Sequence, residues 1–133
     1  SKKTDAEQTY KFISLQVNCG SKKSNAELEI AIEHSNKKSK QNGAGPVDAI
    51  FKCIKTLTNT NYKLDLYQVH SVTGGTDAQA EVTVRLEDQN GKITSGHGAN
   101  TDTLVASAKA YLSALNKIIY HNSLNHTTEN LSI

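Results

Sequence analysis

A stretch that begins at Tyr10, YKFISLQVNCGSKKSNAELEIAI, returns at Tyr62 as YKLDLYQVHSVTGGTDAQAEVTV. At a spacing of 52 residues, Tyr10 falls on Tyr62, Lys11 on Lys63, Gln16 on Gln68, Val17 on Val69, Ala26 on Ala78 and Glu29 on Glu81. A repeated unit constrains the fold more than any local signal, because a unit too small to bury its own apolar face must stack on its copy. The correspondence runs on nearly in step: Gly43 and Gly45 meet Gly96 and Gly98 at 53, and Asp48 meets Asp102 at 54. At 133 residues the chain has room for one domain built from two such units, with a real core.

Each unit reads the same way. Phe12 to Val17 and Leu64 to Val69 are extended and mixed, while Leu28, Ile30 and Ile32, then Ala80, Val82, Val84 and Leu86, alternate with polar residues as half-buried strands do. A shorter third strand is expected near Lys38 to Gln41 and near Lys92 to Ser95, the latter after the Asn90-Gly91 hairpin turn. The Gly-x-Gly then opens a helix. The first helix runs from Pro46, suited to a first helical position, to about Leu57, with Val47, Ile50, Phe51 and Ile54 inward. The second places Leu104, Ala108, Tyr111, Leu112, Leu115, Ile118 and Ile119 on one stripe. The class is α+β, an internal duplication of a β-β-β-α unit with helices packed on antiparallel sheet. Three strands under one helix leave apolar surface uncovered, so the units are expected to pair, and two chains to form a two-fold homodimer. The units span about 10–58 and 62–119 of a domain covering 10–120. Residues 1–9, polar and without an initiator Met, read as the flexible remnant of a linker from a longer protein, and 121–133 as a flexible tail.

The formal charge is +2, carried by lysines with Arg85 the one Arg, and aromatics make up 5%. Nucleic-acid readout leans on Arg forks and stacked rings, so that class is set aside. Lys22, Lys23, Lys37, Lys38 and Lys40 suit solvated loops and strand edges. Cys19 and Cys53 follow no metal or redox spacing and read as reduced thiols; with no signal peptide and no apolar run of membrane length, a cytoplasmic location is expected. The sequons at Asn125 and Asn130 are then chance matches.

A glycine turn before a helix suggests phosphate, but the Lys-Ser/Thr of a Walker loop and the third glycine of a Rossmann turn are both absent. Two readings stay open. Glycines let backbone approach a ligand and helix-start N–H groups attract a carboxylate, or both turns are merely tight strand-to-helix connections. No catalytic residue is assigned: the His at 34, 70, 97, 121 and 126 show no metal spacing, and Asp48 and Asp102 suit the dipole of a first helical turn better than a base's role. His97, between two glycines, reads as a solvent-facing turn residue.

GAGPVDA at Gly43, GGTDAQAEVTV at Gly74 and SGHGANTDTLVASAKAYLSALNK at Ser95 together resemble the C-terminal regulatory domain of the α-isopropylmalate synthase and citramalate synthase family, over roughly Tyr10 to Ile119. The resemblance implies a pseudo-repeat that dimerises and binds an end-product amino acid at the dimer interface, leucine for isopropylmalate synthases and isoleucine for citramalate synthases. It implies a non-catalytic, cofactor-free chain. The parent enzyme would be an acyltransferase whose barrel, divalent metal and acetyl-CoA site lie in a separate N-terminal part. The stretch looks closest to the citramalate synthase branch, which condenses acetyl-CoA with pyruvate, and this favours isoleucine; a leucine-binding isopropylmalate synthase domain, a ligand-free dimerisation module and a free amino-acid sensor are the alternatives.

Carried over by position, the resemblance places effector contacts on the turn Gly43, Ala44, Gly45 and Pro46, on Tyr67 and Ser71, on Asp77, Ala78 and Ala80, and on a second turn, His97, Gly98 and Ala99. Ala44 and His97 depart from the familiar pattern. Opposite Leu28 in the repeat stands the smaller Ala80, so a branched aliphatic side chain is expected beside Ala78 and Ala80 with Tyr67 as wall. Helix-start N–H groups would take its carboxylate and Asp77 or carbonyls its ammonium.

Overall fold

The computed structural model describes residues 8–131 apart from 72–77, and of 126–131 the backbone alone. The elements follow as β1 (Tyr10–Cys19), β2 (Ser24–Ile32), β3 (Ser35–Gly43), α1 (Pro46–Thr58), β4 (Lys63–Ser71), β5 (Ala80–Glu87), β6 (Ile93–Asn100) and α2 (Thr103–Leu131). Two antiparallel sheets, β1-β2-β3 and β4-β5-β6, each pack against a helix. This is the duplicated β-β-β-α fold expected of the repeat.

The first strands of the units agree to the level of their irregularities. Each has a bulge at the same place, between Phe12 and Ser14 and between Leu64 and Leu66, 52 residues apart. Beyond them the spacing changes. Leu15 pairs with Leu28, but Tyr67, its counterpart, pairs with Val84, so the second strands correspond at 56. The cause is the connection between the strands, four residues long from Cys19 to Ser24 and eight from Ser71 to Ala80. The counterpart of Ala80 is therefore Ser24, not Leu28. The third strands and helices correspond at 57: Gly43 closes β3 opposite Ser24 as Asn100 closes β6 opposite Ala80, and Gly45 precedes α1 as Asp102 precedes α2.

The third strands are longer than their sequences suggest. SNKKSKQNG in β3 carries no apolar alternation, yet pairs along its length with β2 and keeps Lys37, Lys38 and Lys40 exposed, as a protected edge should. β6 likewise continues through Gly96, His97, Gly98 and Ala99. The glycines belong to strand rather than turn, and their role is steric. A Cβ on Gly96 would run into the backbone of Ala110 and Ala114, and one on Gly98 into that of Ala106 and Ala110. Ala106, Ala110 and Ala114 form one row on α2, so bare strand meets small helix surface at close range. The first unit achieves the same approach with Ala49 and Cys53; the Cys53 thiol, its pKa pushed up by burial, donates to the carbonyls of Ala26 and Ser39 at 3.3 and 3.4 Å.

Ala26, Leu28 and Ile30 of β2 and Val82, Val84 and Leu86 of β5 are fully buried beneath the helices. The expected helix stripes hold except at Ile119, which is half-buried and outside the core cluster: Ile50, Phe51, Ile54, Ala108, Tyr111, Leu112, Leu115 and Ile118 are buried and Val47 and Leu104 packed at the margin. The units interlock. Phe51 of α1 meets Tyr67 of β4 edge-on, ring centroids 5.7 Å apart, and Tyr111 of α2 at 4.7 Å. Reciprocally, Lys109 of α2 lies 5.6 Å from the ring centroid of Phe12 in β1. Tyr111 buries its hydroxyl with no hydrogen-bond partner among the described residues, and desolvation pushes its pKa up to about 12. The symmetry fails at the helix ends. α1 stops after 13 residues at Asn59, in the left-handed conformation, whereas α2 continues for 29, so residues read as a loose tail after Tyr120 are helical to Leu131.

The β2–β3 hairpin turns on Glu33 and His34, at φ 53° and 90°. A two-residue hairpin matching strand twist needs positive φ at both positions, a conformation strained for any side chain but most readily taken by Asn-Gly. Replacing Glu33-His34 by Asn-Gly is expected to raise stability by about 1 kcal/mol, the relieved strain exceeding the entropy glycine adds to the unfolded chain. Thermal unfolding measures it; an unchanged midpoint would show the turn to be unstrained.

Candidate functional site

The residues expected to hold an effector fall into separate groups in the described chain. Tyr67 and Ser71 stand on one face of β4; Ser71 pairs directly with Ala80 at the start of β5, so these two share one end of the second sheet, with Ala78 exposed just before it, while Tyr67 lies at mid-strand opposite Val84. Asp77 lies outside the described residues. On β6, His97 and Ala99 point away from the helix while Gly98, between them, lies beneath it; the second turn expected at His97 to Ala99 is instead a strand that divides these residues between two faces. Alternation forces this, since neighbours on a strand point oppositely. His97 accordingly is exposed, with Nδ1 3.1 Å from the Thr83 hydroxyl across the ladder.

The first turn is a turn. Gly43 ends β3, Ala44 and Gly45 connect, and Pro46 starts α1. Gly43 is required sterically, because a Cβ there would strike the backbone of Ala49. Gly45 is not, as nothing lies within 4 Å of its missing Cβ and its φ of −153° is ordinary extended backbone. The two helix starts then differ. At α2, Asp102 caps the first turn by accepting from the Leu104 N–H at 2.8 Å, and Asn100 accepts from the Asp102 N–H at 2.9 Å. At α1, Gly45 supplies no side-chain cap. Asp48 reaches back instead, accepting from the Ala44 N–H at 2.9 Å and pairing with Lys52 at 3.2 Å. The Ala44 amide, more than the lysine, holds the Asp48 carboxyl below its ordinary pKa. Both aspartates are thus helix-start residues, as their positions suggested.

Tyr67 meets both helices. Its ring touches Phe51 of α1 and its hydroxyl lies 2.8 Å from the Ser107 hydroxyl on α2. On the same helix-facing side of β4, Leu64 and Val69 remain 42% and 44% exposed, although their counterparts Phe12 and Val17 are half-buried against the core. An apolar surface is left open beside Tyr67. Phe51 and Ser107 were not foreseen as neighbours of Tyr67, because Phe51 reaches it through a contact between the units and Ser107 through the packing of α2 on its own sheet. Among the described residues, no three His, Cys, Asp or Glu side chains gather to hold a metal, and no helix is long and apolar enough to cross a membrane.

A family model described as the LeuA allosteric (dimerisation) domain matches residues 1–119. A 2-isopropylmalate synthase of Bradyrhizobium sp. is 50% identical over 115 residues, covering 86% of this chain and 22% of the relative. Another, of Nitrosomonas europaea, is 46% identical over 122 residues, 91% of this chain and 23% of its own. One of Nitrobacter hamburgensis is 55% identical over 94 residues, 71% and 18%. The chain spans about a fifth of the length of these relatives. They carry the isopropylmalate name, which corrects the closeness to the citramalate branch read from the sequence. Of the motif residues behind that reading, Gly43, Gly96 and Gly98 serve helix packing, and packing of a shared fold does not separate its branches.

Proposed function

The chain belongs to the LeuA allosteric (dimerisation) domain family, and from that premise we propose that it is the leucine-responsive regulatory part of a 2-isopropylmalate synthase, acting as a homodimer. The observation that carries this reading is the family match over residues 1–119, joined by relatives of that name. The whole synthase, an acyltransferase, performs the chemistry; this chain binds the effector. Geometry supports the assignment in two ways. At the start of α1 the Asp48 carboxylate is turned to Ala44 and Lys52 and no side chain caps the first helical N–H groups, which leaves them for an effector carboxylate, whereas at α2 Asp102 accepts from the Leu104 N–H. The open apolar side of β4, with Tyr67 at mid-strand and Ser71, Ala78 and Ala80 at one end, suits a branched aliphatic side chain and a second copy of the chain covering it. Gly43, Ala44, Gly45 and Pro46 would supply the polar end, with Asp77 for the ammonium; His97 and Ala99, facing away within one chain, enter only through the partner copy.

Calorimetric titration of the chain with leucine, isoleucine, valine and a non-branched control tests it, together with sedimentation. Leucine is expected to bind most tightly, to a dimer. Flat traces for all four would leave a dimerisation module without a ligand, and a 14.4 kDa species at high micromolar concentration would remove the two-chain site.

A further inference from the structure

Asn116 lies in the middle of α2, 6% exposed, and uses its whole amide on one residue of the other unit. The Tyr10 N–H donates to Oδ1 at 2.8 Å, and Nδ2 donates to the Tyr10 carbonyl at 2.9 Å. A neighbouring strand would offer the edge of β1 the same pair of bonds. On the other side of β1, Tyr10 pairs with Ile32, and the Glu33 N–H donates to the Thr9 carbonyl at 3.2 Å. The start of β1 is therefore tied both to its own sheet and to the helix of the other unit.

The tie breaks the internal symmetry. The position equivalent to Asn116 is Asn59, exposed at the end of α1, and among the described residues no corresponding bond joins it to Tyr62, the equivalent of Tyr10. Toward its start, α2 carries Ser107, whose hydroxyl meets that of Tyr67 beside the proposed effector surface. Ser107 and Asn116 are nine residues apart, about 14 Å of continuous helix. One stiff element thus touches the effector strand near one end and holds the start of β1 further along. Because the clamp grips backbone through a buried amide, separating α2 from Tyr10 would break both bonds at once.

Resting on the leucine-responsive reading above, we propose that Asn116 is a positioning residue that passes movement of α2 to the chain preceding Tyr10, and so carries the effector's signal out of the domain. An Asn116→Leu variant, close in size but unable to bond Tyr10, should leave leucine affinity of the chain within about threefold while the whole synthase loses about tenfold or more of its leucine-dependent inhibition. Inhibition as in the unaltered enzyme would overturn the proposal, and so would affinity falling in parallel with inhibition, which would make Asn116 only a support of the site. If the variant does not fold, hydrogen exchange at the Tyr10 amide of the unaltered chain decides: leucine should change its rate about fivefold or more, and an unchanged rate overturns the coupling. Absence of leucine binding by the unaltered chain removes the effector reading itself, a result distinct from these.

Discussion

A Gly96→Ala variant is expected to unfold roughly 10 °C below the unaltered chain, a loss of about 3 kcal/mol. The added methyl would meet the backbone of Ala110 and Ala114, which no rotamer change can move aside, so α2 must lift from β6 along the row Ala106, Ala110 and Ala114. Lifting it loosens the cover over Val82 and Val84, both fully buried, and the cost sits at the upper end of what overpacking causes. Gly45→Ala is the control. With nothing near its missing Cβ and an ordinary extended φ, it should cost less than about 1 kcal/mol, the small preference of a cap position for glycine over alanine. A Gly96 variant as stable as the parent would return the second glycine pair to a role in ligand approach. Weakened leucine binding in a stable Gly45 variant would place the ligand against the start of α1.

Ala80→Val should separate the effector surface from the core. Ala80 opens β5, half-buried between Ser71 and Asn100, on the face it shares with Val82 and Val84. Its counterpart in the first unit is Ser24, so the space beside it is not one vacated by a leucine; what favours a ligand there is its own partial exposure next to the open side of β4. Valine suits a strand, and stability should hold to within about 1 kcal/mol. Leucine affinity is expected to fall tenfold or more, equivalent to about 1.4 kcal/mol, because the added methyl groups occupy the volume proposed for the ligand. Feedback inhibition of the whole synthase should weaken with it while turnover stays near normal. A drop of several degrees in the unfolding midpoint would assign Ala80 to the core, and undiminished affinity would move the ligand elsewhere.

Much of the fold follows from local pattern. The alternation of Leu28, Ile30, Ile32 and of Val82, Val84, Leu86 fixes two strands and their buried face, because a one-residue slip would expose every one of them. The stripes from Val47 to Ile54 and from Leu104 to Ile118 fix the helices, and Pro46 at a first helical position fixes the start of α1, whereas α2 begins at Thr103, beyond the glycines expected to open it. The Asn90-Gly91 turn lies where its sequence places it, with Gly91 at φ 80°. The doubling is visible in the first strands, where even the bulges coincide.

What the sequence by itself determined, then, was the unit, its duplication, the α+β class and the family resemblance. Tertiary structure decided the rest, for physical reasons that local pattern does not carry. Connections of unequal length shift the register between the units, so the counterpart of Ala80 appears only once the strands are paired. β3 is a strand because β2 supplies partners for its backbone, although its side chains show no apolar period. Gly96 and Gly98 look like a loop until α2 is laid across them, since the absence of a Cβ signals close approach without naming what approaches. Tyr67 meets Phe51 and Asn116 meets Tyr10 only because the units interlock, and a contact between residues 106 positions apart is fixed by packing of whole elements, which no spacing along the chain records.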